Sequence, residues 1–163
     1  MRVAIAADKG GFALKEKMAE HLKAQGHTVL DVGMKEADVP VWWHEGCRKA
    51  VKLIQSKEAE NAVLICGSGA GMALLANKHE GIFAVACESP YTARLAKQFL
   101  GANVLTMGGY VVGPGQAEMI MDTFLNTVFA QGESLERVAY LTGQYQDLLR
   151  MDRDCFSGEG GRI

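Results

Sequence analysis

The sequence lacks most of the features that mark specialised proteins. No apolar run approaches the about 20 residues that a membrane-spanning helix needs, and the chain opens directly on an apolar strand rather than on a signal peptide. Cytoplasmic residence away from membranes is the expectation. Neither sign of charge dominates. Lys and Arg number 17 against 19 Asp and Glu, for a formal net charge of -2, so no bulk field draws the chain to nucleic acid or an anionic membrane. Any anion site must be local. Cysteine is sparse, at four residues, and scattered as Cys47, Cys66, Cys87 and Cys155 with no Cys-x-x-Cys pair. That spacing argues against structural zinc and against a disulfide framework. His21, His27, His44 and His79 carry no metal-ligand spacing. Internal repeats and low-complexity linkers are also missing.

What remains is an ordinary globular composition. At 163 residues, 48% hydrophobic and 22% charged, the chain is long enough to bury one sizeable core. A single domain is expected over 1–150. A tail over 151–163, ending in Ser-Gly-Glu-Gly-Gly-Arg-Ile, is expected to fray. Strand patterns fall at 2–7, 27–32, 62–66, 82–87 and 103–107, with a short extended piece at 110–112. Helical spacing falls at 12–25, 41–56, after Gly71, at 90–100, at 116–129 and at 135–150. Ser89 is the expected cap of the helix that Pro90 opens, and Gly101 its stop. Strands alternating with helices predict an α/β fold: a five-stranded, mostly parallel sheet with helices on both faces. The last helix has no strand to return to. Its apolar stripe of Val138, Leu141, Tyr145 and Leu148 needs another surface, and a second chain is the expected one.

The chemistry concentrates in Ala62 to Lys78. An apolar strand breaks at Cys66, passes Gly67, Gly69 and Gly71, and resumes as a helix. A loop at the carboxyl end of a parallel strand is where open α/β sheets bind ligands, and the amides opening the next helix favour anions. A thiol at the head of such a loop is a candidate nucleophile or base, although a free cysteine is often only a small buried hydrophobe. Cys47 and Cys87 read as packing, and Cys155 as incidental. The glycine spacing is not a dinucleotide fingerprint, because Met72 stands where its third glycine would fall. Asp8 and Lys9 end the first strand on the same sheet edge. Each has a plain reading, a helix cap and a solvated cation, and a functional one: holding hydroxyls and binding an anion. Arg137 opens the last helix as either a surface ion-pair partner or an anion clamp. Trp42 and Trp43 read as core or interface.

These residues resemble the ribose-5-phosphate isomerase B / galactose-6-phosphate isomerase family. The resemblance rests on Asp8 and Gly11, the Ile65-Cys66-Gly67-Ser68-Gly69-Ala70-Gly71 loop, Ala76-Asn77-Lys78, Asn103-Val104, Gly108 to Gly113, and Arg137-Val138. It implies a Rossmann-like three-layer sandwich, with the C-terminal helix in dimer contact. It implies a homodimer or tetramer, or a heteromer, with sites at subunit interfaces. It also implies aldose–ketose isomerisation through an enediolate, without metal or cofactor. Carried over, Cys66 is the base between C1 and C2, Ser68 assists proton movement at the oxygens, and Gly67, Gly69, Ala70 and Gly71 offer amides to the oxyanion. Asp8, Lys9, Asn77, Phe99 and Arg137 complete the substrate contacts of a phosphorylated sugar similar to ribose 5-phosphate. The chain departs from the family at Lys9 for a usual histidine, Phe99 for the histidine that opens the sugar ring, and Tyr110 and Glu133 for arginines. The departures leave room for a galactose or tetrose phosphate, and the competing class is a sugar- or nucleotide-binding module without the chemistry.

Overall fold

A computed structural model describes residues 1–157. Its elements run β1 Arg2–Ala7, α1 Phe12–Ala24, β2 Thr28–Asp31, α2 Trp43–Gln55, β3 Asn61–Cys66, α3 Ala70–Ala76, β4 Ala84–Ala86, α4 Pro90–Leu100, β5 Val104–Gly108, α5 Pro114–Asn126 and α6 Leu135–Ser157. All five strands pair in parallel, in the order β2-β1-β3-β5-β4. None of the described helices is long and apolar enough to cross a membrane.

Strand periodicity sorts the core into two layers, because alternate side chains leave opposite faces of the sheet. Ile5, Val63 and Leu105 meet Leu14, Met18 and Leu22 of α1, Ala93 and Ala96 of α4, and Ile120 and Phe124 of α5. Ala4, Ala6, Leu64 and Val104 meet Cys47 and Val51 of α2 and Met72 and Ala76 of α3. Each large aliphatic or aromatic side chain so buried contributes about 1.5–3 kcal/mol. β3 is buried at every position, which fits its central place and its continuous apolar run.

This layering positions the site. α1 and α5 leave their strands toward one face, and α3 leaves β3 toward the other. The loop after β3 therefore has a crevice on either side, toward the loops after β1 and β5. That is the switch-point geometry at which parallel sheets bind ligands.

Several boundaries differ from the sequence reading. Residues 110–112 form a turn rather than an extended piece, since the amides of Val111 and Val112 both reach the Gly108 carbonyl at 3.0 Å. α5 starts earlier, at Pro114, whose ring suits a first helical position. α2 starts at Trp43, where the Glu45 carboxylate receives the Trp42 amide at 3.4 Å. α6 runs through Ser157 instead of ending at Arg150. Residues 151–157 are thus helical and Cys155 lies within α6, while the rest of the expected tail lies outside the described residues. Asp152 ties that extension down by accepting the Gly81 amide at 2.8 Å.

Candidate active site

Three loops close on one another at the carboxyl edge of the sheet. Cys66 stands opposite Gly108 in the β3–β5 register. The Gly109 amide donates to the Cys66 carbonyl at 2.7 Å, and the Tyr110 amide to the Gly67 carbonyl at 3.0 Å. The loop after β1 comes in from the other side. Its approach is so close that a side chain on Gly109 would meet the Gly10 carbonyl oxygen at 2.4 Å. Asp8 holds this loop by accepting the Gly11 amide on Oδ1 at 3.1 Å. That bond occupies one carboxylate oxygen and leaves Oδ2 for a ligand.

Within the central loop, the Cys66 side chain turns back over its own amides. Sγ accepts the Gly69 amide at 3.2 Å, with the residue only 6% exposed. Gly69 reaches this position at φ +80°, in the left-handed region, and a Cβ there would come within 2.8 Å of the Met107 backbone. Only glycine fits both constraints. The buried Thr106 hydroxyl donates to the Gly69 carbonyl at 2.9 Å and fixes the turn from beneath. Ser68 is exposed, and its Oγ accepts the Ala70 amide at 3.3 Å. The loop thus carries a hydrogen-bonded sulfur and an exposed hydroxyl two residues apart in sequence. α3 has only seven residues, so the individual amides of the loop matter more than its dipole.

Cys47 and Cys87 fall into place as packing. Burial pushes Cys47 up to about 12, with a smaller contribution from neighbouring Cys66, and burial alone takes Cys87 up to about 11. Both side chains stay protonated and apolar in the core.

Two side chains assembled here were not read as site residues. Tyr110 is 81% exposed. Its ring lies against Gly67, where an added Cβ would meet Cε2 at 2.9 Å, and its hydroxyl reaches the Gly10 backbone. Trp43 does not join the core face of α2 with Cys47 and Val51. Its ring lies 3.7–3.8 Å from where a Gly71 Cβ would be, and Trp42 is largely exposed. Sequence spacing offered one signal for Tyr110, its departure from the resemblance, and none for Trp43.

Three expected substrate contacts are placed elsewhere. Asn77 donates from Nδ2 to the Ala84 carbonyl at 2.9 Å and accepts the Ala84 amide on Oδ1 at 2.7 Å. Its amide clamps α3 to β4 within this chain. Phe99 lies in the last turn of α4. That helix returns the chain from the carboxyl edge of β4 to the amino edge of β5, so Phe99 is on the far edge of the sheet from Cys66. Arg137 goes with it, its guanidinium 5.9 Å from the Phe99 ring centre and 5.0 Å from that of Tyr140. One chain does not bring these two residues to Cys66. A cleft of about 440 Å³ lined by Asp31, Val32, Val39, Val41 and Lys49 lies at the end of β2, two strands away from Cys66.

An all-parallel sheet with a thiol-bearing glycine loop at its switch point defines an open α/β protein with a candidate small-ligand site there. The chain belongs to the ribose/galactose isomerase family, whose model matches residues 3–141, and is an enzyme of the sugar-phosphate isomerase class. It is 40% identical over 156 residues, 96% of this chain and 98% of the relative, to 4-deoxy-4-sulfo-D-erythrose isomerase of Clostridium sp. (strain MSTE9). It is 36% identical over 141 residues, 86% of this chain and 94% of the relative, to ribose-5-phosphate isomerase B of Escherichia coli (strain K12). The solved structure of ribose-5-phosphate isomerase B from Clostridium thermocellum superposes with a TM-score of 0.85 at 30% identity, covering 94% of this chain and 99% of that one.

Proposed function

We propose that the chain interconverts an aldose and a ketose that carry a terminal anionic group, with Cys66 as the base. The observation that carries this reading is the Cys66 thiol bonded to the Gly69 amide at 3.2 Å, in a loop enclosed by the loops after β1 and β5. The thiolate removes the proton from C2 of the aldose. The electron pair passes into an enediolate, and the thiol, whose proton exchanges with solvent in the lifetime of the enediolate, returns a proton to C1 to give the ketose. Ser68 moves the accompanying proton between O2 and O1. Loop amides not used within the protein stabilise the negative oxygen where it develops, the largest single contribution in reactions of this kind. Asp8 Oδ2 holds a sugar hydroxyl, and Lys9 binds the anion.

A short, open-chain substrate fits best. Phe99 brings no proton-transferring group to a ring oxygen, whereas a sugar with sulfur or phosphate at C4 has no free C4 hydroxyl with which to close a five-membered ring. The 40% identity to a sulfo-erythrose isomerase across nearly the whole chain supports the same choice. Ribose 5-phosphate is the second reading, favoured by the Escherichia coli relative. We further propose that the site is completed by a second copy of this chain, which brings Phe99 and Arg137 toward Cys66. Leu135, Tyr140, Met151 and Phe156 of α6 are exposed in the single chain, and a partner surface would cover them.

Assays with 4-deoxy-4-sulfo-erythrose, erythrose 4-phosphate and ribose 5-phosphate test the reading. The four-carbon sugars should be turned over with the higher kcat/KM, and Cys66→Ala should lose activity on all three by a factor of about 10³ or more. Activity retained in that variant removes the mechanism. A strong preference for ribose 5-phosphate removes the substrate choice.

A further inference from the structure

Thr106 is the one polar side chain in β5, a strand buried at every position. It stands in register with Leu64 of β3 and Ala86 of β4, where a valine would fill the same space. A hydroxyl taken out of water is costly unless it is bonded. Among the described residues this one has a single side-chain bond, donating its proton to the Gly69 carbonyl at 2.9 Å. That carbonyl also accepts the Ala73 amide at 3.2 Å, from within α3. The Thr106 bond is therefore what ties Gly69 to β5, while the opposite end of α3 is held separately by Asn77 on Ala84. Gly69 needs such a tie. Its amide and its carbonyl belong to neighbouring peptide units, joined through its own φ of 80° and ψ of -30°. Close packing against the Met107 backbone sets how near the loop lies to β5, and glycine has no side chain to resist rotation within that space. With the carbonyl held from β5, the amide stays aimed at Cys66 Sγ, 3.2 Å away.

Resting on the reading above, we propose that Thr106 is a positioning residue, whose hydroxyl holds Gly69 so that the Gly69 amide keeps the Cys66 sulfur in line with the sugar carbons. Thr106 is fully buried, so it meets no substrate and acts through Gly69 alone. The Gly69 amide is engaged by Sγ and is not among the amides left for the sugar oxygens. Losing its aim therefore lowers turnover and leaves substrate binding in place. A base must lie within reach of the proton it moves, and a displacement of about 1 Å can cost about a hundredfold in rate. The hydroxyl thus separates placement of the base from recognition of the sugar.

The test measures kcat and KM for wild type, Thr106→Val and Thr106→Ser on whichever of the three sugars above wild type turns over fastest. Valine keeps the shape and removes the hydroxyl, whereas serine keeps the hydroxyl and removes the methyl. Thr106→Val should lower kcat by about ten- to a hundredfold with KM within about twofold of wild type. Thr106→Ser should hold kcat within about threefold of wild type. Hydrogen exchange of the Gly69 amide, followed by NMR, should quicken about tenfold in Thr106→Val and stay near the wild-type rate in Thr106→Ser. Urea unfolding checks that both variants fold. Should Thr106→Val not fold, Thr106→Ala set against Thr106→Ser makes the same comparison, since both lack the methyl and only one keeps the hydroxyl. Wild-type kcat in the variant without the hydroxyl, an equal fall with and without it, or a loss confined to KM overturns the assignment. If one of those outcomes appears while Cys66→Ala still abolishes turnover, only the role of Thr106 falls. Survival of turnover in Cys66→Ala removes the underlying reading.

Discussion

Lys15 and Lys97 are the residues that hydrophobic patterning misplaces most clearly. Lys15 is fully buried on α1, with Nζ bonded to Asp31 Oδ2 at 2.7 Å, the Met34 carbonyl at 2.6 Å and Glu16 Oε1 at 2.5 Å. It joins α1 to the end of β2, and three acceptors offset the desolvation of its charge. Lys97 has weaker compensation. Its Nζ donates to Asn61 Oδ1 at 2.5 Å and lies 4.8 Å from the centre of the Phe124 ring. Burial lowers its pKa from 10.5 to about 8. The unfolded chain therefore binds this proton more tightly than the folded one between those values, so stability should rise as pH rises from about 8 and level off near the ordinary lysine value. Urea unfolding followed across that window should show the rise in wild type and lose it in Lys97→Met. A charged residue inside a helical stripe reads as surface in any sequence pattern, because its partners come from distant elements.

At the scale of elements, patterning succeeded where the signal was local. Ser89 caps α4 by accepting the Thr92 amide at 3.2 Å, Pro90 is its first residue, and Gly101 ends it at φ +62°. Each of these was readable from neighbouring residues. β1 and β3 were equally plain as unbroken apolar runs. The failures share a tertiary cause. The Tyr110 turn forms because Gly108 offers its carbonyl to two amides, and the Trp43 ring, read as core or interface, packs over Gly71. The clamp between α3 and β4 also depends on tertiary structure: Asn77 was expected at the substrate from a motif, and both ends of its amide bond Ala84. Asn77→Ala should lower the unfolding free energy by about 1–3 kcal/mol, the usual loss for two hydrogen bonds. Chemical denaturation measures it. A variant with wild-type stability and a raised KM would return Asn77 to the substrate.

For the whole molecule, the separation of the site residues is the main consequence. Asp8, Lys9, Cys66, Ser68 and Tyr110 gather at one edge of the sheet, and Phe99 and Arg137 at the other. Linear sequence named all of these but Tyr110, and only the resemblance, not the residues themselves, hinted that one chain keeps them apart, since that depends on the direction of α4. If a second copy unites them, two defective variants can repair each other. Cys66→Ala and Arg137→Ala should each be weak alone. After mixing, unfolding and joint refolding, about a quarter of sites in a two-fold dimer should be intact, because half the dimers are mixed and one of their two sites carries neither change. Activity of the mixture that merely averages the two variants would mean that each site is built within one chain.

The central claim is that the Cys66 thiol carries a carbon-bound proton through an enediolate. Isomerisation run in deuterium oxide and followed by proton NMR tests this directly. Wild type should wash solvent deuterium into the carbon position that gains the proton, and Cys66→Ala should abolish that exchange together with turnover. Exchange that persists in Cys66→Ala, or wild-type turnover with no deuterium entering carbon, would contradict it.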